Sequence, residues 1–280
     1  LITPGDITVV ASIVDQDQPR IATGATESLV SRLMSISAGP RVASFVMSRI
    51  VIIGGHGKVA LHLARILTER GDEVTSVFRN PDHAEDVVAT AARPVVADIE
   101  VLDTDALADL LAGHAAVVFS AGAGGGNPAR TYAVDRDAAI RVIDAARQAG
   151  VRRFVMVSYF GAGPDHGVPQ DNSFFHYAES KAAADAHLRA SDLDWTVLGP
   201  GHLTLEPATG RIAVGAAARG RDVSREDVAL VAAAALNDDS TIHRTIEFNN
   251  GDVPIAEALA ASGDRKRGEA GRSGSRPSIG

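Results

Sequence analysis

The most constraining feature of the chain is a glycine cluster set between two different periodicities. A β-branched run at residues 50–53 passes directly into Gly54-Gly55-His56-Gly57, and a helical pattern starts at Lys58. A strand that turns this sharply into a helix aims backbone N–H groups and the positive helix end at one point, which suits a pyrophosphate. Gly54 permits the tight turn, Gly57 removes bulk beneath the phosphates, and Ala60 lets helix and strand pack closely. The segment Gly54, Gly55, His56, Gly57, Lys58 and Val59 is therefore read as dinucleotide-binding, against the alternative of a purely structural glycine turn. Lys58 suits either a phosphate or solvent.

The same alternation continues down the chain. Strand patterns fall at residues 50–53, 73–78, 94–97, 116–120, 153–158 and 195–198. Helical patterns fall between them at 58–69, 84–91, 106–111, 130–148 and 177–190, and Gly150 stops the fourth of these. Strands alternating with helices imply an α/β, Rossmann-type, doubly wound parallel sheet. The expected layout is a single domain over 47–261 with small substrate-facing loops. Residues 1–46 lack a sustained period. Their Ala22-Thr23-Gly24-Ala25-Thr26 imitates a nucleotide turn without a following helix, and Met47 stands directly before the first strand. This region reads as a disordered or non-native extension. Residues 262–280 are rich in Gly, Arg and Ser and read as a disordered tail.

Composition removes several function classes. The 280 residues are 45% hydrophobic and contain no cysteine, so neither disulfides nor thiolate metal sites are available. A net charge of -8 gives no support for nucleic-acid binding. No apolar run reaches membrane-spanning length, and no basic-then-apolar leader opens the chain, so the cytoplasm is the default location. His56, His166, His176 and His202 lack convergent spacing, so no metal site is expected. An amphipathic helix covers either its own sheet or another subunit, which leaves a homo-oligomer compatible with the sequence.

Further candidates follow from strand ends. The second strand closes on Phe78-Arg79-Asn80 rather than on a carboxylate, so Arg79 suits a ribose 2′-phosphate and NADP is favoured over NAD; a solvent-facing arginine is the rival reading. Asp98, beyond the third strand, suits either the adenine edge or a turn. Ser120, Ala121 and Gly122 end the fourth strand with little bulk and allow close passage of the cofactor. Tyr177 and Lys181 lie one helical turn apart on one face. Beside a nicotinamide, the ammonium group is expected to lower the phenol pKa and hold a ribose hydroxyl, which suits proton transfer at a substrate oxygen. The rival is a packed tyrosine and a surface lysine. Ser158 closes the fifth strand and suits orienting a carbonyl or the tyrosine, with Tyr159 as its competitor for that place.

Taken together, IGGHGKVA from Ile53, VVFSAGAG from Val117, VRRFVMVS from Val151, YAESK from Tyr177, LDWTVLGPGHLT from Leu193 and VSREDVA from Val223 carry a resemblance. The chain resembles the short-chain dehydrogenase/reductase superfamily, in its atypical NAD(P)H-binding branch near the NmrA-like and NAD-dependent epimerase/dehydratase proteins. The resemblance implies catalytic roles for Tyr177 and Lys181. It also implies cofactor contacts at Gly54, Gly57, Arg79, Asp98, Ala121 and Lys181, with Pro200 and Gly201 beside the nicotinamide. Two departures stand out. Many relatives carry two hydroxyl residues where this chain has Ser158 and Tyr159, and an arginine where it has Gly199.

Substrate contacts are expected from residues 161–175 and 201–221. Tyr159, Phe174, Phe175 and His202 either line the pocket or pack a loop base. The expectation is an NADP-dependent oxidoreductase acting on a small carbonyl-containing or otherwise reducible molecule. Alternatives are a non-enzymatic NADP-sensing regulator and an epimerase or dehydratase that retains its cofactor.

Overall fold

The computed structural model describes residues 47–124, 127–218, 220 and 222–261. Both segments expected to be disordered, 1–46 and 262–280, lie outside the described residues. In chain order the first half comprises β1 (Arg49–Ile53), α1 (Lys58–Glu69), β2 (Glu73–Phe78), α2 (Ala84–Val88), β3 (Arg93–Val96), α3 (Thr104–Leu111), β4 (Ala116–Phe119), α4 (Pro128–Thr131) and α5 (Ala139–Gln148). The second comprises β5 (Arg153–Val157), α6 (Phe175–Ala190), β6 (Asp194–Pro200), β7 (His202–Thr204), β8 (Arg211–Val214), β9 (Asp222–Ser224), α7 (Arg225–Leu236), β10 (Arg244–Asn250) and β11 (Val253–Pro254).

β1 shows why the layers form. All its residues after Arg49 are buried, which requires cover on both faces of the sheet. Ile50 and Ile52 enter a core with Leu63 and Leu67 of α1 and Val228 and Val231 of α7. Val51 and Ile53 enter the opposite core with Leu107 of α3, Val142 and Ile143 of α5, and Leu188 of α6. Each such side chain fully withdrawn from water contributes about 1.5–3 kcal/mol. α5 ends as its glycine implies. Gly150 has φ 73°, its N–H bonds Arg147 O, and Val151 N–H bonds Ala146 O, the paired closure that turns the chain into β5.

The nine-stranded sheet runs β11-β8-β10-β6-β5-β4-β1-β2-β3. From β3 to β10 every pairing is parallel, which bears out the α/β doubly wound reading. The far edge differs, because β8 and β11 pair antiparallel there and make the sheet mixed. β7 and β9 form a separate parallel pair. These later strands are mostly two to four residues long, too short for an alternating pattern to register.

The pattern at 130–148 resolves into α4, a π-helical stretch at Tyr132–Ala138, and α5. Wide π turns recur at functional sites. This one holds Asp135 inward, where its Oδ2 accepts the Ala123 N–H at 3.0 Å.

Candidate active site

At the centre of the parallel sheet, chain reversal between β1 and β4 opens a crevice at the carboxyl ends of the strands. The turn after β1 is built from its glycines outward. Gly54 has φ 83°, and a Cβ there would lie 2.5 Å from Ala121 Cα. A Cβ on Gly55 would lie 2.5 Å from Ser76 Cβ. Both N–H groups donate to Val77 O, at 3.0 and 2.8 Å. This corrects one expectation: the amides of Gly54 and Gly55 tie the turn to β2, so the donors aimed outward come from the start of α1. That helix has no side-chain cap and no acidic residue in its first turn. Its leading N–H groups therefore form an anion-binding end. Gly57 keeps the approach clear, since a Cβ there would sit 3.2 Å from Gly54 O and 3.7 Å from Ser120 O. Val59 is buried in the core, leaving only its backbone for a cofactor, whereas Lys58 is exposed at the helix start.

A cleft of about 220 Å³ continues from this turn, lined by Gly54, His56, Gly57, Arg79, Asp98, Ser120, Ala121 and Gly122 among others. Arg79 reaches it from the end of β2 and donates to Glu100 Oε1 at 2.8 Å; Arg130 donates to the same oxygen at 3.1 Å. The two guanidinium groups share this one carboxylate, and Asp98 brings a second carboxylate to the same cleft. Asp98 takes the turn role, accepting the Glu100 N–H on Oδ1 at 3.0 Å, while still lining the cleft. His56 stacks on His83 with ring centroids 3.6 Å apart and bonds Asp86.

A second cleft, of about 730 Å³, runs from Gly57, Ser120 and Gly122 to Phe174 and Tyr177. A third, of about 690 Å³, is lined by Ser158, Tyr159, Phe174, Tyr177, Pro200 and Gly201 with residues of the 202–220 segment and Asn249. Tyr177 and Phe174 line both. One phenol thus faces the phosphate-turn side and the apolar side together.

Beneath Tyr177 the arrangement departs from the expected pair. Lys181 is 1% exposed, and its Nζ donates to Val157 O at 2.8 Å and lies 3.4 Å from Met156 Sδ. It is turned into the sheet and lines neither cleft, so it does not take the expected place beside the phenol and a ribose. Burial pushes the Tyr177 pKa up, not down, and the carboxyl groups of Asp135 and Asp185 push it further. Tyr177 is consequently a neutral hydroxyl, a proton donor. Burial lowers the Lys181 pKa, opposed by Asp185 and Asp135.

Ser158 is buried and donates to Asp185 Oδ2 at 2.6 Å. Asp185 and Asp135 are both fully buried, and burial raises the pKa of each. Each keeps one carboxyl oxygen without a hydrogen-bond partner. Neither was singled out in the sequence. Asp185 had a legible signal, because 177, 181 and 185 share one helix face. Asp135 had none, since its inward position depends on the π turn.

A Cβ on Gly199 would lie 3.1 Å from Tyr159 O and 3.1 Å from Glu247 Cγ, so any side chain at this position crowds the Tyr159 backbone. Of the other candidates, His202 pairs with Asp222 at 3.0 Å, and Phe175 packs against His166 rather than lining the apolar cleft. Among the described residues, no group of three or more His, Cys, Asp or Glu is placed to hold a metal ion. No described helix is long and apolar enough to cross a membrane.

The side-chain-free space over Gly57, the uncapped start of α1 and the small residues ending β4 fit a dinucleotide along this crevice. Comparison with known proteins agrees. The chain is 37% identical over 233 residues to a UPF0659 protein of Schizosaccharomyces pombe, covering 76% of this chain and 94% of the relative. It is 33% identical to the uncharacterized sugar epimerase YhfK of Bacillus subtilis, over 75% of this chain and 98% of that one. Among solved structures, the oxidoreductase ylbE of Lactococcus lactis is 28% identical, with a TM-score of 0.68 over 76% of this chain and 95% of its own. The pattern of the NAD(P)H-binding family matches residues 54–239, and the chain belongs to that family.

Proposed function

We propose that the protein is an NADP-dependent oxidoreductase acting on a small carbonyl-containing organic molecule. The observation that carries this reading is the position of Tyr177, which lines both the cleft running from the phosphate turn and the apolar cleft. A bound dinucleotide supplies hydride to a carbonyl carbon. Tyr177 Oη supplies the proton to the carbonyl oxygen, so hydride plus proton convert carbonyl to alcohol. Its raised pKa keeps that proton on the phenol until a substrate oxygen takes it. Ser158, with its own proton committed to Asp185, presents its lone pairs to the cleft and orients the Tyr177 hydroxyl or a substrate donor.

Arg79 supports NADP over NAD, because its half-exposed guanidinium lines the cleft at the end of β2, where a ribose 2′-phosphate would meet it. The test is paired titration of purified protein with NADPH and NADH. Preference for NADPH by about tenfold or more, lost in Arg79→Ala, supports the reading; equal affinities would overturn the cofactor assignment.

One observation favours a second reading, an NADP-responsive binding protein without turnover: Lys181 donates to Val157 O and is not disposed to activate the phenol. That reading requires cofactor binding with no carbonyl reduction, and a partner whose affinity follows the NADP/NADPH ratio. The Bacillus subtilis relative's name raises sugar epimerisation, with cofactor retained through the cycle. Ser158, Tyr159, Tyr177, His202 and Asn249 give the 690 Å³ cleft polar groups beside its apolar ones, so its lining is compatible with that reading too.

A further inference from the structure

The apolar cleft carries more information than its size. Three rings meet at one side. Tyr159 and Phe174 centroids lie 5.1 Å apart, Phe174 and Tyr177 5.1 Å, and Tyr159 and Tyr177 5.6 Å, with interplanar angles of 86°, 50° and 44°. Edge and tilted packing of this kind offers ring faces and edges to a further flat ring.

Asn249, at the end of β10, joins Ser158 and the Tyr159 hydroxyl as a buried polar group of the cleft. It is 3% exposed, and its Nδ2 donates to Gly220 O at 2.7 Å. That bond fixes which end of the amide is which and leaves Oδ1, an acceptor only, buried without a hydrogen-bond partner. A buried acceptor of this kind is costly until a donor meets it.

We propose that the cleft binds a flat aromatic carbonyl compound bearing a phenolic hydroxyl. Its rings pack on Tyr159, Phe174 and Tyr177, its carbonyl oxygen accepts from Tyr177 Oη, and its hydroxyl donates to Asn249 Oδ1. This inference rests on the carbonyl-reducing reading and names the substrate class for that same site.

The test is calorimetric titration of the full chain loaded with NADP in its oxidised form, so that no hydride passes and binding alone is read. The probes are a hydroxylated acetonaphthone, acetonaphthone itself and a saturated bicyclic ketone of the same carbon count. The hydroxylated arene is expected to bind tightest, with about tenfold loss on removing the hydroxyl and a larger loss on saturating the rings. Asn249→Leu, with its fold confirmed by thermal melts, should abolish the advantage of the hydroxyl while leaving the affinity for acetonaphthone unchanged. Phe174→Ala should weaken both neutral arenes equally. A hydroxyl advantage that survives Asn249→Leu, equal binding of arene and saturated ketone, or no binding of the arenes would overturn the proposal. Arene binding without any NADPH-driven reduction would count against the redox reading alone, while reduction of other carbonyls without arene binding would count against this inference alone.

Discussion

Ser158 Oγ donates a 2.6 Å hydrogen bond to Asp185 Oδ2, linking a hydroxyl that lines the apolar cleft to a carboxyl group fully withdrawn from water. The bond settles which way the serine faces. In the proposed reduction Asp185 is a positioning residue that acts through Ser158. Asp185→Ala is expected to lower kcat about tenfold with little change in NADPH affinity, and Asp185→Asn, which keeps an acceptor for Ser158, to recover most of that loss. Steady-state kinetics on both variants, with thermal melts to confirm folding, check the ordering. Equal activity of wild type and Asp185→Ala would remove the residue from the mechanism.

The glycines of the turn separate folding from binding. Gly54→Ala forces a side chain into φ 83° and to within 2.5 Å of Ala121 Cα, and is expected to destabilise the protein by at least about 2 kcal/mol. Gly57→Ala meets only Gly54 O at 3.2 Å, so it should fold and instead weaken dinucleotide binding by about tenfold. Denaturant melts and NADPH titration of the two variants distinguish these outcomes.

Stability should respond to pH from two sides. His114 Nδ1 lies 3.0 Å from Leu111 O and its Nε2 3.1 Å from Thr75 Oγ1. Burial holds the His114 pKa below 6.5, against the Leu111 bond and with help from Arg49 and Arg93. A depressed folded pKa means that its contribution is present above the unfolded value and is lost as pH falls through the folded one. Asp135 runs the other way. Burial raises its pKa, so the stability that it contributes is complete at low pH and is lost as pH rises through the folded value. Melting temperatures taken against pH should therefore lose the acid-side slope in His114→Gln and the loss on raising pH in Asp135→Asn. Curves that superimpose on wild type would contradict the assignment.

How far the sequence revealed this arrangement depended on whether a residue's role was local. The glycine turn, Arg79 and the small residues after β4 were legible because strand ends in a parallel sheet converge on one edge. Tyr177 was legible from its helix spacing. The direction of Lys181 was not, because the Val157 carbonyl that captures it lies across the sheet-helix interface, 24 residues away. Asn249 escaped notice for a different reason. Its strand, Arg244–Asn250, mixes charged and amide side chains with Ile246 and Phe248, and only its pairing with β6 and β8 makes it a strand. Gly199 reads as a lost arginine in sequence and as room for the Tyr159 backbone in structure.

The position of Tyr177 on both clefts is tested most directly by Tyr177→Phe, assayed for NADPH oxidation with the best carbonyl acceptor of a broad panel and, separately, for NADPH affinity. Loss of the Oη proton should lower kcat by about 100-fold or more while the Kd for NADPH stays within about twofold. Turnover retained at the wild-type rate would contradict the assignment of Tyr177 as the proton donor and, with it, the proposed reduction at this site.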